Sequence, residues 1–208
     1  MNKLNQRTDY YLIGVDVQND FTHGSLAVPD GESVVEPLRL TADAVRKLGG
    51  TVTWTRDWHP ATTPHFDKWP IHCVAGTEGA KLHPDLGVQP KDFILSKGME
   101  QTDGYSGWEG VDLSSGATMK SILDVRRRRS KQMIIVGGIA TDYCVQATAL
   151  DIARAFPAET DRKLLLLRDS IRAINITEGD EARALASMHQ AGFIDTTSQK
   201  LIRQIRRN

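Results

Sequence analysis

Short apolar runs alternate with stretches of helical periodicity along most of this chain. The apolar runs are continuous rather than alternating, which is the pattern of strands that are buried on both faces of a sheet. They predict strands over Tyr11–Val17, Thr51–Thr55, Phe93–Leu95, Met133–Val136, Leu164–Leu167 and Phe193–Thr196. We therefore expect an α/β fold, a three-layer sandwich with a mainly parallel sheet of about six strands and helices on both faces.

Three stretches between these strands carry the signals of helices. Glu36, three residues after Ser33, predicts a capping box at the start of the first helix. Val145, Ala149 and Ile152 share one face of the second helix, as a buried face requires. The predicted helices run from Ser33 to Gly49-Gly50, over Thr141–Phe156, and from Thr177 to about Gln190, before Gly192.

Composition and charge narrow the class of protein. The 208 residues, 40% of them hydrophobic, suit one well-filled domain, which we expect to span residues 1–208. A formal net charge of zero argues against nucleic acid or a membrane surface as a partner. The N-terminal MNKLNQRTDY lacks the apolar centre of a secretory signal, and two cysteines are too few for a disulfide framework, so we expect a cytoplasmic protein. We interpret the run Arg126–Arg129 as the solvated end of a helix.

The segment from Asp57 to His72 is the richest in candidate chemistry. Asp57 and His59 are two residues apart, so an extended chain points both side chains the same way. His65 and His72 follow, and four of the six histidines lie between positions 59 and 83. Imidazole and carboxylate ligands suit zinc, iron or manganese. We therefore predict one divalent metal ion here, with zinc favoured, rather than histidines gathered on a surface loop.

The ends of the predicted strands carry further reactive groups. Asp16 ends the first strand, Asp57 and His59 follow the second, Lys97 follows the third, and Cys144 opens the helix after the fourth. Because ligands of parallel sheets gather beyond the carboxyl ends of the strands, we expect these side chains to converge there. In that place Asp16 would exchange a proton with the thiol, and Lys97 would stabilise the thiolate.

Cys144 lies in the first turn of its predicted helix, behind Thr141 or Asp142 as N-cap. The partial positive charge there lowers the pKa of a thiol and so favours its reaction. Position alone leaves a nucleophile and an inert core thiol equally open. Two further features favour the nucleophile. Gly137-Gly138 let the backbone approach a substrate closely, and the successive amides at the helix start could bind an oxyanion.

Five motifs fit one known family together: Val15–Phe21, Asp57–Pro60, Trp69–Val74, Lys97-Gly98 and Gly138–Val145. They resemble those of the nicotinamidases, also called pyrazinamidases, of the isochorismatase-like (cysteine hydrolase) superfamily. The resemblance runs from about residue 10 to residue 195. The cysteine motif and Asp16 mark the superfamily, whereas the metal segment with Trp-Pro-Ile-His-Cys is specific to nicotinamidases.

The resemblance implies an amidase that converts nicotinamide to nicotinate and ammonia, and also accepts pyrazinamide, through a cysteine thioester in NAD salvage. It implies that Cys144 is the nucleophile, Asp16 the general acid and base, and Lys97 their electrostatic partner. It further implies metal ligands at Asp57, His59, His65 and His72, oxyanion-binding amides at Ala140 and Cys144 after a cis Ile139–Ala140 bond, and a ring-binding wall of Phe21, Trp69 and Tyr105.

His65 departs from the commonest form of the motif. Many nicotinamidases have a histidine four residues after the counterpart of His59, where this chain has Thr63. His65 stands six residues after His59, directly before Phe66. This spacing resembles the mycobacterial type, in which the later histidine is itself a ligand.

Two other functions fit the same residues. One is another cysteine amidohydrolase of the superfamily, acting on a carbamoyl or ureido compound, although such relatives generally lack the metal segment. The other is a non-catalytic, metal-stabilised binding protein, in which Cys144 would react as an ordinary thiol. Isochorismate hydrolysis is disfavoured because relatives with that activity typically lack the cysteine, and no G-x-G-x-x-G suggests a dinucleotide. The sequence leaves a homo-oligomer open.

Overall fold

The computed structural model describes residues 7–100, 103–125 and 130–206, which contain a seven-stranded sheet. The order across the sheet is β4-β3-β2-β1-β5-β6-β7, and neighbouring strands are parallel except for β3 and β4. The α/β class and the mainly parallel sheet are confirmed; β4 was not predicted because two residues carry no periodicity. The strands are β1 (Thr8–Val15), β2 (Thr51–Asp57), β3 (Phe93–Lys97), β4 (Val111–Asp112), β5 (Lys131–Ile139), β6 (Arg162–Arg172) and β7 (Phe193–Thr196).

Helices cover both faces of the sheet. The α-helices are α1 (Asn19–Thr22), α2 (Val35–Lys47), α3 (Met119–Leu123), α4 (Gln146–Ala155), α5 (Asp180–Gln190) and α6 (Ser198–Ile205). Helices α2 and α6 pack on one face, and α3, α4 and α5 pack on the other. Single turns of 3₁₀-helix lie at Gly31–Val34, Pro64–Asp67, Pro84–Leu86 and Gly107–Glu109, and a π-helical turn, Thr141–Val145, leads directly into α4.

The central strand β1 shows why the strands are continuously apolar. Leu12 packs with Leu38 of α2 in the core on one face, and its neighbour Ile13 packs with Ile152 of α4 in the core on the other face. Both strand residues are fully buried. A strand covered on both faces has no solvent side on which a polar residue would be favoured.

Two predicted helix starts are wrong. The hydroxyl of Ser33 donates to the carbonyl of Asp30 at 2.6 Å inside the first 3₁₀ turn, so Ser33 forms no capping box with Glu36. Thr177 lies before α5, and its amide donates to the carboxylate of Asp180, the first residue of that helix, at 2.7 Å. In both places the chain turns once before the α-helix begins, which the apolar periodicity does not reveal.

The strand order reverses at the centre of the sheet. From β1 the chain builds β2, β3 and β4 to one side, and then β5, β6 and β7 to the other. Such a switch point leaves a crevice beyond the carboxyl ends of the two central strands, here β1 and β5. Asp16 directly follows β1, and the turn that carries Cys144 follows β5.

Across the described ranges, no helix combines the length and the apolar character that crossing a membrane requires. The run Arg126–Arg129 lies outside the described residues, so its interpretation as a helix end stays a prediction.

Candidate active site

Lys97, the last residue of β3, lies at the centre of a buried polar cluster. Its Nζ is 2.8 Å from Asp16 Oδ2, 2.5 Å from Asp57 Oδ1 and 3.5 Å from Cys144 Sγ. The carbonyl of Gly104 accepts a further hydrogen bond from Nζ at 3.0 Å. The three charged residues and Cys144 are each at most 6% exposed. The convergence predicted from the strand ends is therefore present in the structure.

The charges in this cluster shift pKa values in different directions. Burial alone lowers the pKa of Lys97, but the carboxylates of Asp16 and Asp57 outweigh burial and hold it well above its usual range. Burial raises the pKa of Asp57, but Lys97 and His59 outweigh it and lower that pKa. Burial raises the pKa of Asp16, against the opposing charge of Lys97. Asp16 is thus the carboxyl group better suited to exchange a proton.

The thiol of Cys144 differs from the prediction. Burial raises its pKa well above the usual value, against the opposing effect of Lys97 and with a further rise from Asp16. We expected the helix N-terminus to lower this pKa, and the prediction is wrong because desolvation disfavours the thiolate more strongly. The resting group is a thiol, so attack requires a base, and a carboxylate oxygen of Asp16 lies within 4.8 Å of the sulfur.

Neither Thr141 nor Asp142 caps the helix that carries the thiol. The π turn is preceded by Ala140 without a side-chain cap. The carboxylate of Asp142 instead accepts hydrogen bonds from the amides of Ile174 and Asn175, at 3.0 and 2.8 Å. These bonds fix the loop after β6, which brings Ile174 to the wall of the pocket described below.

Three histidine rings converge beside the Lys97 cluster. His59, His65 and His72 are all buried, and one ring nitrogen of each lies within 4.8 Å of the other two. Asp57 connects the two groups, because its Oδ2 is 3.7 Å from His59 Nε2 while its Oδ1 contacts Lys97. The structure therefore brings together all four residues for which the sequence predicted a metal.

The surroundings of the three rings fit a divalent ion. Nε2 of His59 is buried and has no hydrogen-bond partner among the described residues, an arrangement that a metal would satisfy. Burial lowers the pKa values of His65 and His72 and so favours the neutral rings that bind metals. Each Nδ1 faces an oxygen acceptor: His59 faces the Gly98 carbonyl at 2.9 Å, His65 the Asp103 carboxylate at 2.9 Å, and His72 the Pro70 carbonyl at 2.6 Å.

His83, the fourth histidine of this part of the chain, lies outside the cluster. Its Nδ1 accepts a hydrogen bond from the amide of Asp85 at 3.2 Å, so its Nε2 carries the proton and donates to Glu32 at 2.9 Å. His23 Nδ1 lies 3.5 Å from the same carboxylate. Because both nitrogens of His83 are engaged, this second group is complete without an ion.

The two clusters open into one pocket. Phe21, Trp69 and Tyr105, the predicted ring-binding residues, all line it. Trp69 Nε1 donates to the hydroxyl of Tyr105 at 3.0 Å. The Trp69 ring packs edge-on against Tyr143, with ring centroids 5.0 Å apart. Three further residues line the pocket and were not predicted: Leu26, Tyr143 and Ile174. Only Tyr143 had a sequence signal, as the neighbour of the cysteine in its motif.

The predicted oxyanion residues lie at the same pocket as the aromatic side chains. Ala140 and Cys144 both line the pocket. The Ile139–Ala140 peptide bond is cis, as the resemblance implied.

Two hydrogen-bonding side chains to which the sequence assigned no role hold the metal segment in place, Gln18, which is buried, and Asp20, which is half-buried. Gln18 Nε2 donates to the carbonyls of Asp57 and Ala80, both at 2.8 Å, and its Oε1 accepts from the amide of Asp57 at 2.7 Å. The carboxylate of Asp20 accepts from the amide of Cys73 at 2.7 Å, directly after the third histidine. Cys73 has a left-handed backbone, with φ of 47°, so this bond supports an uncommon conformation.

A thiol, a carboxyl group and an ammonium group at the switch point of a parallel sheet are the groups that a hydrolase with a cysteine nucleophile requires. Residues 10–200 match the isochorismatase domain, and the chain belongs to the isochorismatase family of hydrolases.

Its relatives include enzymes of known name. The chain is 33% identical to the nicotinamidase of Escherichia coli (strain K12) over 204 residues, which cover 87% of this chain and 91% of that protein. It is 39% identical to the nicotinamidase/pyrazinamidase of Mycobacterium tuberculosis over 153 residues, which cover 69% and 78%. The crystal structure of the Pyrococcus horikoshii pyrazinamidase in complex with zinc is similar, with a TM-score of 0.74 and 33% identity over 91% of this chain and 99% of that one.

Proposed function

We propose that this protein is a metal-dependent amidase that hydrolyses nicotinamide to nicotinate and ammonia through a cysteine thioester, and so serves NAD salvage. Pyrazinamide, with a similar ring and the same carboxamide, is a second substrate. The observation that carries the proposal is that Cys144, two of the three clustered histidines and several aromatic side chains line a single pocket. The names of the relatives in E. coli and M. tuberculosis support the same substrate class.

The chain's own residues supply the chemistry. Asp16 takes the proton of Cys144 as the sulfur attacks the carboxamide carbon, and the amides of Ala140 and Cys144 stabilise the oxyanion. As the C–N bond breaks, Asp16 returns the proton to the departing ammonia, and water then hydrolyses the thioester to nicotinate and the free thiol. Lys97 remains an ammonium throughout and offsets the negative charge on the carboxylates and the sulfur.

Asp57, His59, His65 and His72 would hold one divalent metal ion. We prefer zinc to iron or manganese because three imidazoles and a carboxylate suit zinc, and the related P. horikoshii pyrazinamidase structure is in complex with zinc. When bound, the ion supplies a Lewis-acid contact for the pyridine nitrogen that orients the substrate. Phe21, Trp69 and Tyr105 would then pack against the ring and exclude water from it.

Ammonia release from nicotinamide tests the proposal directly. The Cys144→Ala variant should lose about 10⁴-fold or more of the turnover, because it lacks the nucleophile. It should keep its metal content, since Cys144 is not among the proposed ligands. Cys73→Ala, which removes the other buried thiol, should keep most of the activity. Chelation should abolish ammonia release in the unmodified protein, and added Zn²⁺ should restore it.

The alternatives predict different results. Hydrolysis of a carbamoyl or ureido compound, with nicotinamide left intact, would assign the protein to another amidohydrolase of the family. If Cys144→Ala still hydrolyses nicotinamide well, the assignment of the nucleophile is wrong. If no substrate is hydrolysed and Cys144 reacts with iodoacetamide no faster than a free thiol, the chain is a binding protein.

A further inference from the structure

The three histidines of the metal cluster do not have equivalent partners on Nδ1. His59 and His72 donate to backbone carbonyls, whereas His65 donates to the side chain of Asp103. Asp103 Oδ1 lies 2.9 Å from His65 Nδ1, and Asp103 Oδ2 lies 2.7 Å from Lys68 Nζ. His65 is therefore the ring whose orientation depends on a single replaceable side chain.

A carboxylate on Nδ1 has two effects on a metal-binding imidazole. It fixes the proton on Nδ1, which leaves the lone pair of Nε2 for the metal, and it makes the ring a stronger donor than a carbonyl partner does. Nδ1 of His65 is directed at Asp103, and its ring stacks on that of His59 with centroids 4.6 Å apart. The carboxylate thus contacts the Nδ1 edge of the ring, while a face of the ring packs against His59.

Asp103 comes from a part of the chain that is distant in sequence from the metal segment. It lies in the loop after β3, which also provides the Gly98 carbonyl to His59 and the Gly104 carbonyl to Lys97. Lys68, the second partner of Asp103, lies beside His65 in sequence but has a side chain that is 61% exposed. The Lys68 contact is therefore a solvated ion pair of small effect, and the His65 contact is the buried one.

We propose that Asp103 is a positioning residue of the metal site, which fixes His65 in the Nδ1–H form and so makes it a ligand. The inference rests on the proposed function, because it takes the three histidines as the metal site. Asp103 is not among the proposed metal ligands or the residues that line the pocket, and His65 depends on this carboxylate from another loop.

The test is the affinity for Zn²⁺ alone, measured by competition with a chromophoric chelator. Asp103→Ala should weaken Zn²⁺ binding by about 10- to 100-fold. Asp103→Asn, which keeps an acceptor oxygen but loses the charge, should weaken it less. Asp67→Asn removes the same charge from an exposed site in the turn that carries His65, and it should leave the affinity unchanged within about twofold.

A double-mutant cycle separates this role from a general effect on the loop. In a His65→Ala background, the further change Asp103→Ala should alter the Zn²⁺ affinity by less than about twofold, because the ring through which Asp103 acts is absent. Equal losses in both backgrounds would overturn the inference, and so would an unchanged affinity in the Asp103→Ala single variant.

Ring nitrogen NMR of the metal-free protein provides a second readout that needs neither metal nor substrate. His65 should be in the Nδ1–H form, and Asp103→Ala should shift it toward the Nε2–H form. An unchanged His65 tautomer in that variant would contradict the inference. Zn²⁺ binding that depends on Asp103 in a protein that leaves nicotinamide intact would overturn the proposed function alone. Nicotinamide hydrolysis with a Zn²⁺ affinity insensitive to Asp103 would overturn this inference alone.

Discussion

The side-chain amide of Gln18 forms hydrogen bonds with both backbone groups of Asp57. Gln18 Nε2 donates to the carbonyl at 2.8 Å, and Oε1 accepts from the amide at 2.7 Å, in a fully buried setting. Asp57 in turn contacts Lys97 through one carboxylate oxygen and faces His59 with the other. By holding the backbone of Asp57, Gln18 therefore positions the side chain that connects the thiol cluster with the histidine cluster.

Replacing Gln18 by Ala should destabilise the fold. The change leaves the amide and carbonyl of Asp57 and the carbonyl of Ala80 without this partner, and each unsatisfied buried group costs about 1–3 kcal/mol. We expect the free energy of unfolding, measured in urea, to fall by about 3 kcal/mol or more. Gln89→Ala, which removes one exposed hydrogen bond, should change it by less than about 0.5 kcal/mol. Similar losses in the two variants would refute the role of Gln18.

Lys97→Met should be strongly destabilising. It leaves the carboxylates of Asp16 and Asp57 buried without their cation, and breaking a buried ion pair in this way costs about 3–5 kcal/mol. Denaturant unfolding at neutral pH measures the loss. The matched control is Lys81→Met, which removes an exposed ion pair with Glu78 and should cost less than about 1 kcal/mol. A Lys97→Met protein as stable as the Lys81→Met protein would contradict the electrostatic account.

The lowered pKa of Asp112 should make the free energy of unfolding depend on pH. Burial raises its pKa, but hydrogen bonds from the Ser114 hydroxyl and the Ile94 amide outweigh burial and lower it. A carboxyl group with a lowered pKa stabilises the fold above its unfolded-state pKa, near 4, and loses that contribution as the pH falls through its folded-state pKa. Asp112→Asn should therefore be less stable at pH 7 by about 1–3 kcal/mol.

The difference between Asp112→Asn and the unmodified protein should shrink as the pH falls below about 4, as followed by thermal unfolding at a series of pH values. A difference that stays constant or widens toward low pH would show that the carboxylate charge does not stabilise this edge of the sheet.

Gly98→Ala should damage the metal site rather than the fold alone. Gly98 has φ of 64°, and a Cβ there would lie 2.5 Å from Cε1 of His59. Gly116, with φ of 72°, has nothing within 4 Å of an added Cβ, so Gly116→Ala carries the backbone cost of about 1–2 kcal/mol without the collision. Both variants should lose that stability, but only Gly98→Ala should weaken Zn²⁺ binding. Equal Zn²⁺ affinities of the two variants would show that the metal site does not depend on the close approach of Gly98 to the His59 ring.

The sequence by itself determined the architecture and most of the site. Continuous apolar runs identify strands buried on both faces, because such strands have no solvent side, and parallel strands bring their carboxyl ends to one edge. The sequence alone therefore predicts that four side chains lie together, those of Asp16, Asp57, Lys97 and Cys144. The helix starts at Ser33 and Thr177 were wrong because the turn before each helix leaves no periodic signal.

Only the tertiary structure decided what depends on burial and on partners distant in sequence. The pKa of Cys144 is raised rather than lowered because desolvation outweighs the helix N-terminus, and burial cannot be read from a motif. The contacts of Gln18 with Asp57 and of Asp103 with His65 join residues 39 and 38 positions apart. Periodicity reports only the neighbours along one helix or strand, so contacts of this range become visible only when the chain has folded.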